Sequence, residues 1–92
     1  MSALSAEEVA LRLAPLSGWR IDAGELVKTF SFSDFRAALR FVDQVGELAE
    51  AAGHHPDIDI RYNRVRLSLI THDAGGLTEK DFNLAAQTDK LI

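Results

Sequence analysis

Residues 54–72, HHPDIDIRYNRVRLSLITH, contain the pattern that decides the fold. Two runs of alternating polarity, 57–62 and 65–71, are separated there by Asn63 and Arg64. Alternation of this kind is typical of half-buried β-strands, and two residues are enough for a hairpin turn. The stretch therefore predicts a β-hairpin with Asn63 and Arg64 in its turn.

The three histidines of the chain flank this hairpin. His54 and His55 precede the first strand, and His72 follows the second. A hairpin brings the start of its first strand and the end of its second strand to the same end of the sheet. Neighbouring side chains of a regular strand point to opposite faces, but the segment before Pro56 is irregular enough for both histidines to face one pocket. We therefore expect the three imidazoles to converge.

The rest of the chain predicts three helices and a second hairpin. Ser5 with Glu8 is a capping box that begins the first helix, and Thr78 with Asp81 begins the last one, which ends near residue 90. The predicted strands of the first half are 19–21 and 25–32.

The middle helix is predicted from Ser33 as N-cap to about Ala52, with Gly53 ending it. Its expected sheet-facing stripe has apolar residues at spacings of three and four: Phe35, Leu39, Val42, Val45 and Leu48. Phe41 lies off that stripe and is expected at a subunit contact or the sheet edge. The element order α-β-β-α-β-β-α predicts an α+β fold, a four-stranded antiparallel sheet with helices packed on one face. Residues 1–92 are expected to form a single domain.

The composition of the chain excludes several classes of function. The 92 residues are 47% hydrophobic and 26% charged, with a net charge of −4 and no basic block, which argues against nucleic-acid binding. The absence of cysteine excludes disulfides and thiolate chemistry. No run of apolar residues is long enough for a membrane span, and no signal peptide is recognisable, so a cytoplasmic protein is expected. A core this small also favours a homo-oligomer.

The side chains around the histidines allow more than one interpretation. A metal site is a weak alternative, since the spacing matches no familiar zinc motif, and acid–base chemistry fits imidazoles better. Glu50 lies one helical turn before His54, either orienting its imidazole or remaining solvated. Asp81 is explained by helix capping, and Trp19 is a core or oligomer residue unless it stacks on a planar ligand.

Several motifs resemble the pterin-4a-carbinolamine dehydratase family over nearly the whole chain. The most specific is the His54-His55-Pro56-Asp57 element with the later Thr71-His72 pair. The other matching segments are Gly18-Trp19, Phe30-x-Phe32-x-Asp34-Phe35, Tyr62-Asn63-x-Val65, Gly76-Leu77-Thr78-Glu79-x-Asp81 and Asp81-x-Asn83-Leu84-Ala85.

The resemblance implies dehydration of a small-molecule pterin, 4a-hydroxytetrahydropterin, to quinonoid dihydropterin, without a metal or bound cofactor. It implies His54, His55 and His72 as the catalytic set, with His54 and His72 as the acid–base pair. It also implies substrate-binding or supporting roles for six residues: Trp19, Glu50, Pro56, Thr71, Asp73 and Asp81. Glu50 is expected to support the first histidine.

The resemblance also implies partners and an alternative role. The functional partner would be an aromatic amino acid hydroxylase, and the oligomer a dimer or a tetramer. Family members also act as dimerisation partners of a transcription factor, and related proteins act as assembly factors, so a non-catalytic binding module is the alternative. Some relatives with this fold lack the full histidine set, which this chain retains. One departure is Ile58, where many members carry an aromatic residue. That change puts a stacking contact in doubt.

Overall fold

The computed structural model describes residues 2–92. In chain order the elements are α1 (Ala6–Leu13), β1 (Arg20–Asp22), β2 (Glu25–Ser31), α2 (Phe35–Ala52), β3 (Asp57–Arg61), β4 (Arg64–Leu69), a 3₁₀ turn (His72–Ala74) and α3 (Glu79–Asp89). The predicted element order and the α+β class are therefore confirmed. Strand β4 ends two residues earlier than expected, because Thr71 leaves the sheet and pairs with Gly76 instead.

The helix starts follow from local side-chain chemistry. Both predicted capping boxes are present, at Ser5 with Glu8 and at Thr78 with Asp81. The start of α2 differs, because its N-cap is Asp34 and not Ser33. The Asp34 carboxylate accepts a hydrogen bond of 2.8 Å from the backbone N–H of Ala37. An aspartate caps a helix as well as a serine does, so the sequence alone did not separate the two neighbours.

The four strands form one antiparallel sheet in the order β1-β2-β4-β3. Strands β2 and β4 pair in the centre, with Leu26 opposite Leu69 at one end and Ser31 opposite Arg64 at the other. Strands β1 and β3 are the edges. In the β3–β4 hairpin, Asp57 lies opposite Ser68 and Arg61 opposite Arg64.

The β3–β4 turn lies one residue earlier than predicted. Because Arg61 and Arg64 pair, the turn residues are Tyr62 and Asn63. The side-chain amide of Asn63 donates to the carbonyl of Phe32 at 2.7 Å, and the Phe32 N–H donates to the Asn63 carbonyl at 2.9 Å. These two bonds tie the turn to the end of β2. Tyr62 takes the left-handed conformation, with φ 53°, and its side chain is 69% exposed.

The hydrophobic core lies between one face of the sheet and the helices, as predicted. The sheet contributes Leu26, Phe30, Val65, Leu67 and Leu69, and the helices contribute, among others, Ala38, Phe41, Val45, Phe82 and Ala85. Each of these side chains is at most 6% exposed. Burial of large apolar side chains of this kind contributes about 1.5–3 kcal/mol each.

The buried face of α2 is only partly the predicted one. The residues it buries are Ala38, Phe41, Val45 and Ala49. Phe41 is a core residue, with its ring centroid 4.7 Å from that of Phe30. Phe35 and Leu39, expected in the core, are 47% and 39% exposed. Small alanines allow the helix to lie close to the sheet, so its buried face is rotated toward the alanines. Val45 of the predicted stripe stays in the core, and Val42 and Leu48 pack against it.

A polar cluster joins the end of α3 to the sheet. The ammonium of Lys28 lies on the apolar face of β2, as predicted, and contacts Asp89 at 2.9 Å and the Ser17 carbonyl at 3.0 Å. The indole N–H of Trp19 donates to the same carboxylate, at 3.0 and 3.1 Å. The Lys28 nitrogen also lies 4.9 Å from the centroid of the Phe30 ring. The charge is therefore satisfied at the rim of the core.

None of the helices within residues 2–92 combines the length and the apolar composition that crossing a membrane requires.

Candidate active site

The structure brings the three histidines together at the open end of the β3–β4 hairpin. They line a solvent-open cavity of about 290 Å³, together with Gly53, Ile70, Thr71, Asp73 and Lys80. The hairpin has placed His54 and His55 beside the segment that follows β4.

The chain reaches this cavity through two local reversals. Gly53 ends α2 in the left-handed conformation, with φ 64°, and the His54 N–H then donates to the Ala49 carbonyl at 3.1 Å. On the other side, the Thr71 N–H donates to the Gly76 carbonyl at 3.1 Å. That bridge closes the short loop at whose start His72 lies.

His54 is the most constrained of the three imidazoles. Its Nε2 lies 2.6 Å from Oδ1 of Asp81, and the two side chains are 11% and 0% exposed. An ionised carboxylate only accepts hydrogen bonds, so Nε2 carries a proton, and in the neutral form of the ring Nδ1 is then the acceptor nitrogen. The contact fixes both the orientation and the tautomer of His54.

The second oxygen of Asp81 has a structural task. Its Oδ2 accepts hydrogen bonds from the Thr78 N–H at 2.9 Å and from the Thr71 hydroxyl at 2.9 Å. Asp81 therefore caps α3, as the sequence predicted, and also contacts a histidine. Three donors around one buried carboxylate compensate the cost of removing its charge from water.

The hydrogen bonds between the Thr71 and Thr78 hydroxyls and Asp81 run in one direction only. Thr71 uses its single proton on Asp81, so the 2.8 Å contact between the Thr71 and Thr78 hydroxyls requires Thr78 to donate. Thr78 in turn accepts from the Lys80 N–H at 3.3 Å. The result is a buried chain from Thr78 through Thr71 to Asp81, with His54 donating from the cavity side.

Glu50 contacts a different histidine from the expected one. Its Oε2 lies 2.5 Å from Nε2 of His55, and the two side chains are 77% and 60% exposed. The family resemblance implied support of His54, which lies one helical turn later. The left-handed Gly53 breaks that helical spacing, and His54 turns inward to Asp81. The exposed pair with His55 holds its imidazole far less rigidly than the buried pair holds His54.

His72, Asp73 and Lys80 form the exposed side of the cavity. Among the described residues, no side chain makes a hydrogen bond to the His72 imidazole, which leaves both of its nitrogens open to a ligand. Lys80 was not predicted from the sequence. The signal for it was its position directly before Asp81, in the first turn of a helix whose start faces the histidines.

The other predicted site residues lie outside the cavity lining. Pro56 is half-buried and begins the extended path into β3. Trp19 is 5% exposed and bonded to Asp89, at the opposite end of α3 from Asp81. Eight residues of helix separate those two carboxylates, a distance of about 12 Å. The pocket role expected for Trp19 is therefore not supported by its position.

The arrangement is suited to proton transfer. One imidazole is oriented by a buried carboxylate, a second is free on the opposite side, and imidazoles exchange protons near neutral pH. Within residues 2–92, no group of three histidine or carboxylate side chains is arranged to hold a metal ion.

The fold and the site together define a small α+β protein with a histidine-lined pocket whose side chains are suited to acid–base chemistry. The family model described as pterin 4 alpha carbinolamine dehydratase matches residues 2–91. The chain belongs to this family.

Curated relatives support the assignment over the full length. A protein of Acidobacterium capsulatum named "Putative pterin-4-alpha-carbinolamine dehydratase" is 56% identical over 92 residues, covering 100% of both chains. One of the same name from Chloroflexus aurantiacus is 60% identical over 92 residues, covering 100% of this chain and 99% of the relative.

Two solved structures are also similar. A transcriptional coactivator/pterin dehydratase from Brucella melitensis superposes with a TM-score of 0.94 at 33% identity, covering 98% of each chain. A pterin dehydratase-like protein identified as a RuBisCO assembly factor of the alpha-carboxysome gives a TM-score of 0.69 at 28% identity. The superposition covers 80% of this chain and 88% of the assembly factor.

Proposed function

We propose that this protein dehydrates 4a-hydroxytetrahydropterin to quinonoid dihydropterin. The observation that carries the proposal is the convergence of His54 and His72 on one cavity, with Asp81 behind His54. Family membership supplies the substrate class. The reaction needs two proton transfers at neighbouring atoms, and the cavity offers two imidazoles for them.

The proposed step is an elimination. One imidazole takes the proton from N5 of the pterin, and the N–H electron pair forms the C4a–N5 double bond. The C4a–O bond breaks, and the leaving hydroxyl takes a proton from the second imidazole, in its protonated form, to leave as water. No electrons are gained or lost, so no oxidant or reductant is needed. Nδ1 of His54 is the nitrogen available for exchange, because Asp81 holds Nε2.

The remaining residues bind and position. His55, with Glu50, forms an exposed polar contact and orients the substrate more than it moves protons. Asp73 borders the cavity and offers hydrogen bonds to a flat, polar heterocycle, while Thr71 lines the cavity and its hydroxyl holds Asp81. Pro56 shapes the segment that carries the two adjacent histidines. Lys80 adds one positive charge at the rim.

The test follows dehydration of 4a-hydroxytetrahydropterin, generated in situ by a hydroxylase, by absorbance. Wild type is compared with His54→Ala and His72→Ala, each expected to slow the step by about 10²–10⁴-fold. His55→Ala is expected to raise KM more than it lowers kcat. Gln87→Ala, an exposed change on α3, is the matched control and should leave the rate unchanged.

The alternative is a non-catalytic binding or assembly role, as described for the RuBisCO assembly factor of similar fold. If folded wild-type protein does not exceed the spontaneous rate, the dehydratase proposal fails and the alternative replaces it. The buried His54–Asp81 pair supports the enzyme, because a binding surface made by exposed helix faces has no use for it.

We also infer that the chain self-associates and that an aromatic amino acid hydroxylase supplies its substrate. Phe35 and Leu39 leave an apolar strip exposed on α2, which a second copy would cover. Light scattering during size-exclusion chromatography, with Leu39→Glu as the disrupting variant, tests the first inference. A monomeric wild type would contradict it.

A further inference from the structure

The face of the sheet that carries no core holds a second cavity, distant from the histidines. Its volume is about 230 Å³, and it is lined by Thr29, Asp59, Arg61, Arg64 and Arg66. The alternation of the strands places all five side chains on the face opposite Leu26 and Leu67. Nothing in the proposed dehydration uses this cavity.

The register of β3 and β4 concentrates positive charge there. Arg61 lies directly opposite Arg64, and Arg66 lies between Thr29 on one side and Asp59 on the other. Like charges directly opposite each other across two strands destabilise a sheet. A chain whose net charge is −4 thus carries an unfavourable arginine pair at one exposed position.

Nearby carboxylates neutralise only part of this charge. Asp59 lies 3.4 Å from Nε of Arg61, and Asp22 lies 3.0 Å from Arg66. Arg64 forms no ion pair with any residue in 2–92, and its side chain is exposed. The remaining acids of this face, Glu25 and Asp57, lie toward the other end of the strands, about 10 Å or more from Arg64. The turn end of this face is therefore positive.

We propose that this cavity binds the phosphoryl group of a small phosphorylated molecule. Guanidinium groups present several N–H donors in a plane that matches phosphate oxygens, and a compact anion between Arg61 and Arg64 would relieve their repulsion. Thr29 also lines the cavity, and its hydroxyl supplies a further donor. Asp59, as an acceptor, suits a hydroxyl group next to the phosphate, which favours a phosphate ester over free phosphate.

The test is an NMR titration of the full chain with pyrophosphate, inorganic phosphate and ribose 5-phosphate at about 20 mM salt, where screening is weak. Saturable amide shifts are expected at Thr29, Arg64 and Arg66. Arg64→Gln should weaken binding at least about fivefold, because it removes the unpaired guanidinium. Tighter binding of ribose 5-phosphate than of phosphate would identify an ester as the ligand; equal binding would identify the free anion.

The matched control is Arg40→Gln, which removes the same charge from an exposed position on α2. It should leave the titration unchanged. Without ligand, Arg64→Gln should have a Tm at least as high as wild type, since it removes one of two opposed like charges. The proposal is overturned if no shift saturates, if Arg40→Gln weakens binding equally, or if a single-stranded oligonucleotide binds while none of the three phosphates does.

Discussion

Asp81 contacts His54 with one carboxylate oxygen and holds the start of its own helix with the other. The imidazole is therefore fixed relative to α3 and the backbone behind it. Because one carboxylate makes both contacts, only one charge has to be removed from water. Catalytic geometry and helix capping share one side chain. Changes at Asp81 should consequently affect stability and rate together.

Asp81→Asn tests this relationship. The amide keeps one oxygen for the helix start but presents N–H donors to His54 or Thr71, where acceptors are needed. We expect a loss of about 1–3 kcal/mol in the free energy of unfolding, and a fall in kcat of about 10²-fold or more from the wrong His54 tautomer. Denaturant unfolding and ¹⁵N spectra of the imidazole measure the two effects. Retention of the Nε2–H tautomer with full activity would refute the assignment.

Thr71→Val separates the hydroxyl from the rest of the side chain. The change removes a donor to Asp81 and an acceptor for Thr78 while keeping the volume. We expect a loss of about 1–3 kcal/mol and a slower dehydration at unchanged oligomeric state. Thr71→Ser keeps the hydroxyl and should restore most of the rate. Equal rates for the valine and serine variants would show that the hydroxyl does not act on Asp81.

Two neighbouring residues at the start of α2, Ser33 and Asp34, can be compared as its N-cap. Asp34→Ala removes the observed N-cap and should cost about 1 kcal/mol, whereas Ser33→Ala should cost only a few tenths. Thermal unfolding of both variants decides the point. A larger effect at Ser33 would mean that the helix begins one residue earlier in solution.

Asp89→Ala tests the position of Trp19. It leaves the Lys28 ammonium and the Trp19 N–H without their shared partner, at a site where the charged groups are about one-quarter exposed. We expect a loss of about 2 kcal/mol, discounted for solvent screening, and no change in KM. A raised KM with normal stability would instead indicate that Trp19 contacts the substrate. Measurements of unfolding and of pterin turnover on one preparation distinguish these results.

Glu8 provides a pH-dependent signal away from the site. Hydrogen bonds from the backbone N–H and then the side chain of Ser5 hold the pKa of Glu8 below the ordinary value of 4.5. A lowered folded-state pKa stabilises the protein above the unfolded value, and that stability is lost as pH falls through the folded pKa. Glu8→Gln removes the titration. The Tm difference between wild type and this variant should therefore shrink below about pH 4.5, and a constant difference would contradict the capping contact.

The hairpins and the gathering of the histidines were predictable because strand alternation has a strict period of two. The alternating runs fixed which ends of β3 and β4 meet, whatever the length of the turn. The turn itself was misplaced by one residue, because its position depends on bonds between Asn63 and Phe32, which lie 31 positions apart. The burial of Phe41 was also missed. It lies on the same face of α2 as two buried alanines, and a search for large apolar residues overlooks alanines.

The partners of the histidines were harder to predict. Spacing along a helix allowed Glu50 either to orient His54 or to remain solvated, and the family resemblance implied the first. Gly53 reverses the chain between them, so Glu50 meets His55. The Asp81 contact joins residues 27 positions apart, so no local pattern encodes it. The capping box did identify Asp81 as a fixed carboxylate. Only the packing of α3 on the sheet shows that its second oxygen faces a histidine.

The β3–β4 hairpin carries the histidine cavity at its open end and the arginine cavity at its turn, about 15 Å away along the strands. The two regions share a backbone ladder but no side chain. Residues can therefore be replaced or inserted near Tyr62 without moving an imidazole, provided that the pairing of Asp57 with Ser68 is kept. The turn can therefore carry a separate binding site without disturbing the geometry of the histidines.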